Sequence, residues 1–302
     1  MNFLHAWSPM NCSKPAQPLI LAIDMFLKFQ EYIKSASPHT LRAYRLDLKQ
    51  AFADEQAKEW TEESLWQAIR SAQMRWGSLS LASRNRKAAT LMSFLDFLLI
   101  KGWIESSLTH QVFSPKVPKK IPHFISVDEV MSIIRSFTTS PSDDEKLLFL
   151  LLYGSGLRIS EACAIKWSDL QMPQRVVRIK GKGGKERVSI ILPSTVTLLQ
   201  LREKNQKGKT DYLWGHQGLP TRRAYNWIRR RGALAGLLKP LNPHALRHSF
   251  ATHLLSSGAN LRTLQELLGH DSLAATEKYT HLDINHLART LEGHHPLGRG
   301  RR

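Results

Sequence analysis

Cysteine is nearly absent: the 302-residue chain has only Cys12 and Cys163. Two cysteines so far apart make neither a disulfide framework nor a zinc site, and a reducing cytoplasm is the expected setting. No apolar run reaches the roughly 18 residues that a membrane-spanning helix needs, and no polybasic anchor adjoins a lipidation motif. Residues 1–18 carry no basic segment leading into an apolar core, so no signal peptide is expected. The 13 histidines include no His-Glu-x-x-His pattern, and no carboxylate cluster suits magnesium. Neither a metal nor another cofactor is expected. Acid is the other scarcity. Lys and Arg total 43 against 25 Asp and Glu, a formal net charge of +18 with a pI near 10.1. A chain so basic repels itself unless a polyanion relieves it, which makes nucleic acid the first partner implied.

The length suits two domains, and hydrophobic residues at 42% suffice to build a core in each. The best boundary is Ser114 to Pro122, where three prolines within eight residues forbid a continuous helix. Lys116, Lys119 and Lys120 in this stretch suit a strap lying across phosphates. The expected division is a short extension (1–18), a helical domain (19–106), a linker (107–122) and a second domain (123–302). Residues 1–122 have a net charge of +6 and residues 123–302 a net charge of +12, so both parts can grip DNA.

The first part reads as all helix. Leu19 to Lys34 is apolar at helical spacing, and Ser37-Pro38 opens a helix with Leu41, Tyr44, Leu48 and Phe52 on one stripe. Glu62 to Met74 is a weaker helix. Arg84-Asn85-Arg86-Lys87 then leads into Leu91, Phe94, Leu95 and Leu98. These stripes are core, while Arg84, Arg86 and Lys87 are candidate phosphate contacts, with a solvated charged face as the plainer alternative. The second part opens on a capping box, Ser126 to Glu129, followed by a very apolar helix, Leu147 to Leu152. Val176 to Lys180 and Arg187 to Ile191 alternate as paired strands around a Gly/Lys turn, and helical patterns resume from Thr221.

Four segments carry chemistry. Arg158 and Glu161, three apart, could be a local ion pair. The turn with Lys182 and Lys185 could be a plain hairpin. His244 and Arg247 share one helical face, and a structural histidine is the commonest fate there. His270 follows Gly269 at a helix end, nine residues before Tyr279. Together these make a single kit for metal-free phosphodiester transfer. Arginine's planar fork matches the charged non-bridging oxygens of the transition state. A tyrosine hydroxyl, with a reference pKa of about 10, attacks only with help in losing its proton. The departing 5′ oxygen must gain one. Of the other tyrosines, Tyr32, Tyr44 and Tyr153 read as core, and Tyr212 and Tyr225 lack an adjacent Gly-His element.

The motifs Gly156-Leu157-Arg158-x-Ser160-Glu161, Gly181-Lys182-Gly183-x-Lys185-Glu186-Arg187, Pro243-His244-x-Leu246-Arg247-His248, Leu267-Leu268-Gly269-His270 and Tyr279-Thr280-His281 resemble the tyrosine recombinases. The likeness runs over about residues 19–296, lies nearest the bacterial Xer branch, and at its end favours the XerC over the XerD side. It implies a mainly α fold with a small β-hairpin, two domains closing on duplex DNA as a C-shaped clamp. It further implies that Arg158 and Arg247 clamp the scissile phosphate and that Lys182 protonates the leaving 5′ oxygen. His244 would assist the nucleophile, His270 would hold a non-bridging oxygen, and Glu161 would orient an arginine. Tyr279 would form a 3′-phosphotyrosyl link. The implied partners are a recombination site on double-stranded DNA, a homo- or hetero-tetramer with a second Xer recombinase on two duplexes, and a DNA translocase at the division septum. The implied task is the resolution of chromosome dimers. A type IB topoisomerase shares the residue kit, and a non-enzymatic basic protein shares the charge. A phage-type integrase often has an added amino-terminal module, for which residues 1–18 are too short. Leu282 to Leu291 reads as one more helix, expected to dock on a neighbouring protomer, and His294 and His295 as a polar tail.

Overall fold

The computed structural model describes residues 18–53, 60–118, 124–139, 143–180, 186–205, 210–268 and 281–298, the side chains of 281–283 excepted. The chain forms two compact units that divide between Lys120 and Ile121. Among the described residues no helix is long and apolar enough to cross a membrane.

Among its described residues the first unit has four α-helices: α1 (Leu19–Tyr32), α2 (Pro38–Ala51), α3 (Glu62–Arg75) and α4 (Leu81–Ile100). Their starts are set by side chains that satisfy otherwise orphaned amides. Ser37 Oγ accepts from the Thr40 amide at 3.1 Å, and Pro38 takes the first helical position. Thr61 and Ser64 cap reciprocally, and Ser80 caps α4. Phe26 lies at the centre, with ring contacts to Phe94 at 5.4 Å and Phe97 at 5.7 Å. The core runs past residue 106 to Leu108 and Val112, and Asn85 donates to the Pro115 carbonyl at 3.1 Å. One expectation fails here. Tyr32 is 72% exposed, because it lies off the buried stripe of α1 that Phe26, Leu27 and Gln30 occupy. Tyr44 does pack, against Phe26.

The second unit begins with α5 (Val127–Thr139), whose capping box is present: Ser126 and Glu129 exchange amide-to-side-chain bonds at 2.7 and 3.1 Å. Next come α6 (Asp143–Phe149) and a π-helical turn (Leu150–Gly154), wholly buried from Leu147 to Gly154. This segment is the axle of the unit. Around it lie α7 (Ile159–Cys163), α8 (Pro193–Asn205), α9 (Thr221–Leu234), α10 (Pro243–Ser256), α11 (Leu261–Leu268) and α12 (His281–His294). Three antiparallel strands, β1 (Leu170–Gln171), β2 (Val176–Lys180) and β3 (Glu186–Ile190), form the sheet in that order. Val176 pairs with Ile190 and Lys180 with Glu186, which sets the segment carrying Lys182 between two paired strands. The element types agree with a mainly α chain bearing a small sheet.

The end of the chain corrects the sequence reading. Leu287, Ala288 and Leu291 of α12 are buried in their own unit, and Glu292 pairs with Arg175. The helix therefore packs in cis, because its apolar stripe already has a core to fill. His294 and His295 are no polar tail either. His294 hydrogen-bonds the Ser257 carbonyl, while His295 is 1% exposed and contacts the rings of Tyr153 and Phe250.

Candidate active site

The π-helical turn ends the axle at Gly154, and the chain must then reverse beside α10. Gly156 does this at φ +63°, a region that costs any residue with a Cβ. A Cβ there would also lie 2.7 Å from the buried ring of Phe250. Leu157 anchors in the core, and Arg158 then stands at the N-cap of α7. Its main-chain N–H donates to Glu161 Oε2 at 2.7 Å and its guanidinium to Oε1 at 2.9 Å. The i,i+3 pair expected from spacing is thus present, with Arg158 just outside the helix.

Arg247 reaches the same place from α10. Pro243 takes the first turn of that helix, and Asn242 caps it by accepting from the Ala245 amide at 2.9 Å. Arg247 donates to the carbonyls of Gly156 and Leu268, the latter at 2.8 Å, and lies 4.0 Å from Glu161 Oε2. Its side chain is 12% exposed against 51% for Arg158. Burial, and then the charges of Arg158 and Arg187, push the Arg247 pKa down to about 10, with Glu161 opposing. It still stays protonated at neutral pH.

Arg158, Arg247 and His244 line one open cleft of about 490 Å³, together with Ser160 and His248. His244 is exposed there, one turn from Arg247. Arg187 of β3, not among the residues lining this cleft, donates to Glu161 Oε2 at 2.9 Å. Three guanidinium groups therefore converge on one carboxylate. The surplus positive charge suits an oxyanion, and Arg158 is the group most open to it. A smaller concavity of about 320 Å³ around Asp144, Arg202 and Trp214 holds none of the predicted residues. Its arginine is engaged by Asp144 and the Trp214 ring.

The remaining predicted residues divide three ways. Lys182, His270, Tyr279, Lys119 and Lys120 lie outside the described residues. Lys116 is exposed, and Arg84 lies over the Phe113 ring, 5.7 Å from its centroid. Lys87 needs correction as a phosphate contact. It is 6% exposed, donates to Asp47 at 2.8 Å and to Gln50 at 2.6 Å, and sits 4.5 Å from the Trp76 ring centroid. The buried Asp47 carboxylate demands positive charge, and Lys87 inside and Arg86 at the rim supply it together. Arg86 shares that carboxylate from the half-exposed rim, with one bond at 2.9 Å.

Sequence reasoning passed over two features. Arg187 ends the Gly181-to-Arg187 motif with no role expected of it. The outward face of α9 exposes Arg222, Arg223, Tyr225, Asn226 and Arg229, an arginine-rich stripe that was readable in Thr221-Arg222-Arg223 and Arg229-Arg230-Arg231. The last of these points inward, where Arg231 donates to Glu145 Oε2 at 3.0 Å and to the Ser136 carbonyl at 3.1 Å.

Comparison with known proteins agrees with this geometry. Residues 123–286 match the phage integrase family, and residues 23–102 match the phage integrase N-terminal SAM-like domain. The chain is 35% identical to a protein named tyrosine recombinase XerC of Xanthomonas campestris pv. campestris, over 96% of this chain and 93% of that one. Identity is 32% to the protein of that name from Thermodesulfovibrio yellowstonii, over 92% and 97%. Among solved structures, a lambda integrase tetramer bound to a Holliday junction superposes with a TM-score of 0.66 at 18% identity, over 92% of this chain and 87% of that one. At that identity the likeness speaks for the fold. The family matches and the XerC-named relatives, taken with the arginine cleft, settle the class: the chain belongs to the phage integrase family of tyrosine recombinases, enzymes that transfer DNA strands through a tyrosine nucleophile.

Proposed function

We propose that this recombinase cuts and rejoins a specific site on double-stranded DNA with Tyr279 as its nucleophile. The observation that carries the reading is the convergence of Arg158, Arg247 and His244 on one cleft backed by Glu161. Arg158 and Arg247 hold the non-bridging oxygens of the scissile phosphate. The Tyr279 oxygen forms a bond to phosphorus as the bond from phosphorus to the 5′ oxygen breaks. His244 helps remove the phenol proton, Lys182 delivers a proton to the 5′ oxygen, and His270 hydrogen-bonds a non-bridging oxygen. The phosphotyrosyl bond keeps the energy of the bond it replaced. A 5′ hydroxyl from another strand can therefore reverse the step, and neither a metal nor a nucleotide cofactor is consumed.

The first compact unit, up to Lys120, acts as the DNA-gripping domain, and the second, from Ile121, as the catalytic domain. Arg84, Arg86, Lys116, Lys119 and Lys120 contact phosphates from the first part and the linker, and the outward face of α9 contacts them from the second. The working form is a tetramer of this chain, alone or with a second Xer recombinase, on two duplexes. Its task is the resolution of chromosome dimers in the cytoplasm, alongside a DNA translocase at the septum. The name XerC carried by relatives over nearly the whole chain supports that task.

The test uses nicked duplexes tiled across chromosomal terminus DNA, with chelator present. The expected result is a covalent adduct on one duplex, mapped to Tyr279 and abolished by Tyr279→Phe. An adduct that survives that substitution, or none on any duplex, refutes the assignment.

A further inference from the structure

Arg187 and Arg247 reach the same two acceptors from different elements. Arg187 comes from β3 and donates to Glu161 Oε2 at 2.9 Å and towards the Leu268 carbonyl at 3.4 Å. Arg247 comes from α10 and donates to the same carbonyl at 2.8 Å, 4.0 Å from the same carboxylate oxygen. Glu161 meanwhile holds Arg158 with its other oxygen. One carboxylate and one carbonyl thus tie together the loop before α7, the hairpin, α10 and the end of α11.

The hairpin register explains how an arginine comes to be there. Arg187 pairs with the buried Ile179, and the next residue on its face, Ser189, is buried with its hydroxyl on the Ser155 carbonyl at 2.9 Å. That face of β3 looks inward. The Arg187 side chain, not among the residues lining the cleft, reaches Glu161. At 10% side-chain exposure Arg187 is far less open than Arg158, at 51%. It fixes the group that aims the cations lining the cleft.

We propose that Arg187 is a positioning residue for strand cleavage: by holding Glu161 and the Leu268 carbonyl it sets the attitude of Arg158 and Arg247 toward the scissile phosphate. This rests on the reading of the cleft as the phosphate site. Arg187 has a second consequence through its strand. Arg187 lies near the start of β3, so the same bond ties that strand and its partner β2 to the two clamping arginines.

The experiment compares full-length native protein, Arg187→Gln and Arg187→Lys. It measures single-turnover adduct formation at saturating protein on the duplex mapped above. A second duplex carries an uncharged methylphosphonate at the scissile position. On the phosphodiester, Arg187→Gln should be slowed by about tenfold to hundredfold, the scale for losing a partner that orients a catalytic group. Arg187→Lys, which keeps the charge but not the fork, should fall between. On the methylphosphonate the need for charge clamping is reduced, and the variants should close on the native rate. Unchanged DNA affinity would place the defect in the chemical step. Equal slowing on both duplexes would mean general damage and overturn the inference, as would native rates for Arg187→Gln. Absence of any adduct with native protein would instead overturn the reading of the cleft, and the inference with it.

Discussion

Glu161 holds Arg158 at two points, the main-chain N–H at 2.7 Å and the guanidinium at 2.9 Å, so one carboxylate both caps α7 and aims the cation beside it. The same group faces Arg187 and Arg247. Replacing it by Gln leaves three guanidinium groups without their shared counter-charge. Removing one partner of a buried ion pair costs about 3–5 kcal/mol. Half of the Arg158 side chain is exposed, and solvent there lowers the loss. Glu161→Gln should melt several degrees lower and cleave more slowly. Sulfate should raise its melting temperature more than it raises that of the native protein, because the vacated site now prefers an anion. Equal sulfate shifts in both proteins would count against the shared counter-charge.

Gly156→Ala tests the turn that delivers Arg158. The new Cβ would sit at φ +63° and 2.7 Å from the Phe250 ring, which is fully buried and has nowhere to retreat. The left-handed backbone alone costs roughly 1–2 kcal/mol, and the contact adds to it. The Gly156 carbonyl also receives a bond from Arg247, so displacement of this turn moves both clamping arginines. The expected outcome is a lower melting temperature together with slower adduct formation at saturating protein. A folded variant of native stability and rate would refute it.

Helix stripes, caps and the hairpin were legible because they follow from local periodicity and from short-range bonds such as Ser37 to Thr40. The motif arginines were legible for a different reason, that their chemistry is distinctive as a set. What was not legible depends on partners far along the chain. Lys87 looked like a surface cation, and only the folded chain brings Asp47, 40 residues earlier, beneath it. Arg187 is the second residue of β3, where apolar Val188 and Ile190 suggest the opposite inward face. Both faces of β3 turn out to be covered, with Ser189 on one and Ile190 on the other both buried. His295 reads as tail, yet its packing partner Tyr153 lies 142 residues away.

The buried Asp47 centre separates structural from DNA-contacting cations. Lys87→Met should leave Asp47 with Arg86 and Thr90, the latter at 3.0 Å, and so cost little stability. Asp47→Ala instead strands a buried ammonium and should cost about 3–5 kcal/mol. Plotting the logarithm of DNA affinity against that of salt concentration gives the second readout. Loss of one phosphate contact lowers the slope by about 0.9. Lys87→Met should leave the slope unchanged, and Lys116→Ala should reduce it. A reduced slope for Lys87→Met would restore that lysine to the DNA interface.

Acid should loosen the end of the chain through His295. Its Nε2 donates to the Tyr153 carbonyl at 3.1 Å, and its Nδ1 accepts from the Leu297 amide at 3.1 Å. That pattern requires a neutral ring, since a proton on Nδ1 would face the Leu297 N–H. Burial is the main force holding the His295 pKa down at about 3, with the Tyr153 bond opposing it. His253, whose Nδ1 lies 2.8 Å from the Tyr153 hydroxyl, is shifted in the same direction, also by burial. For a histidine lowered on folding, the unfolded chain binds the extra proton. Stability is therefore whole above an unfolded pKa near 6.5 and declines as pH falls toward 3. By pH 5 the loss through His295 is about 2 kcal/mol. Melting temperature measured from pH 7.5 to 5 should fall, and His295→Gln, which starts less stable but has no such proton to gain, should show a shallower fall. Because α12 packs against β3 and runs directly into His295, protease cleavage after α12 should rise with acid in the native chain and depend less on pH in the variant. Parallel pH profiles for the two proteins would remove His295 from this role.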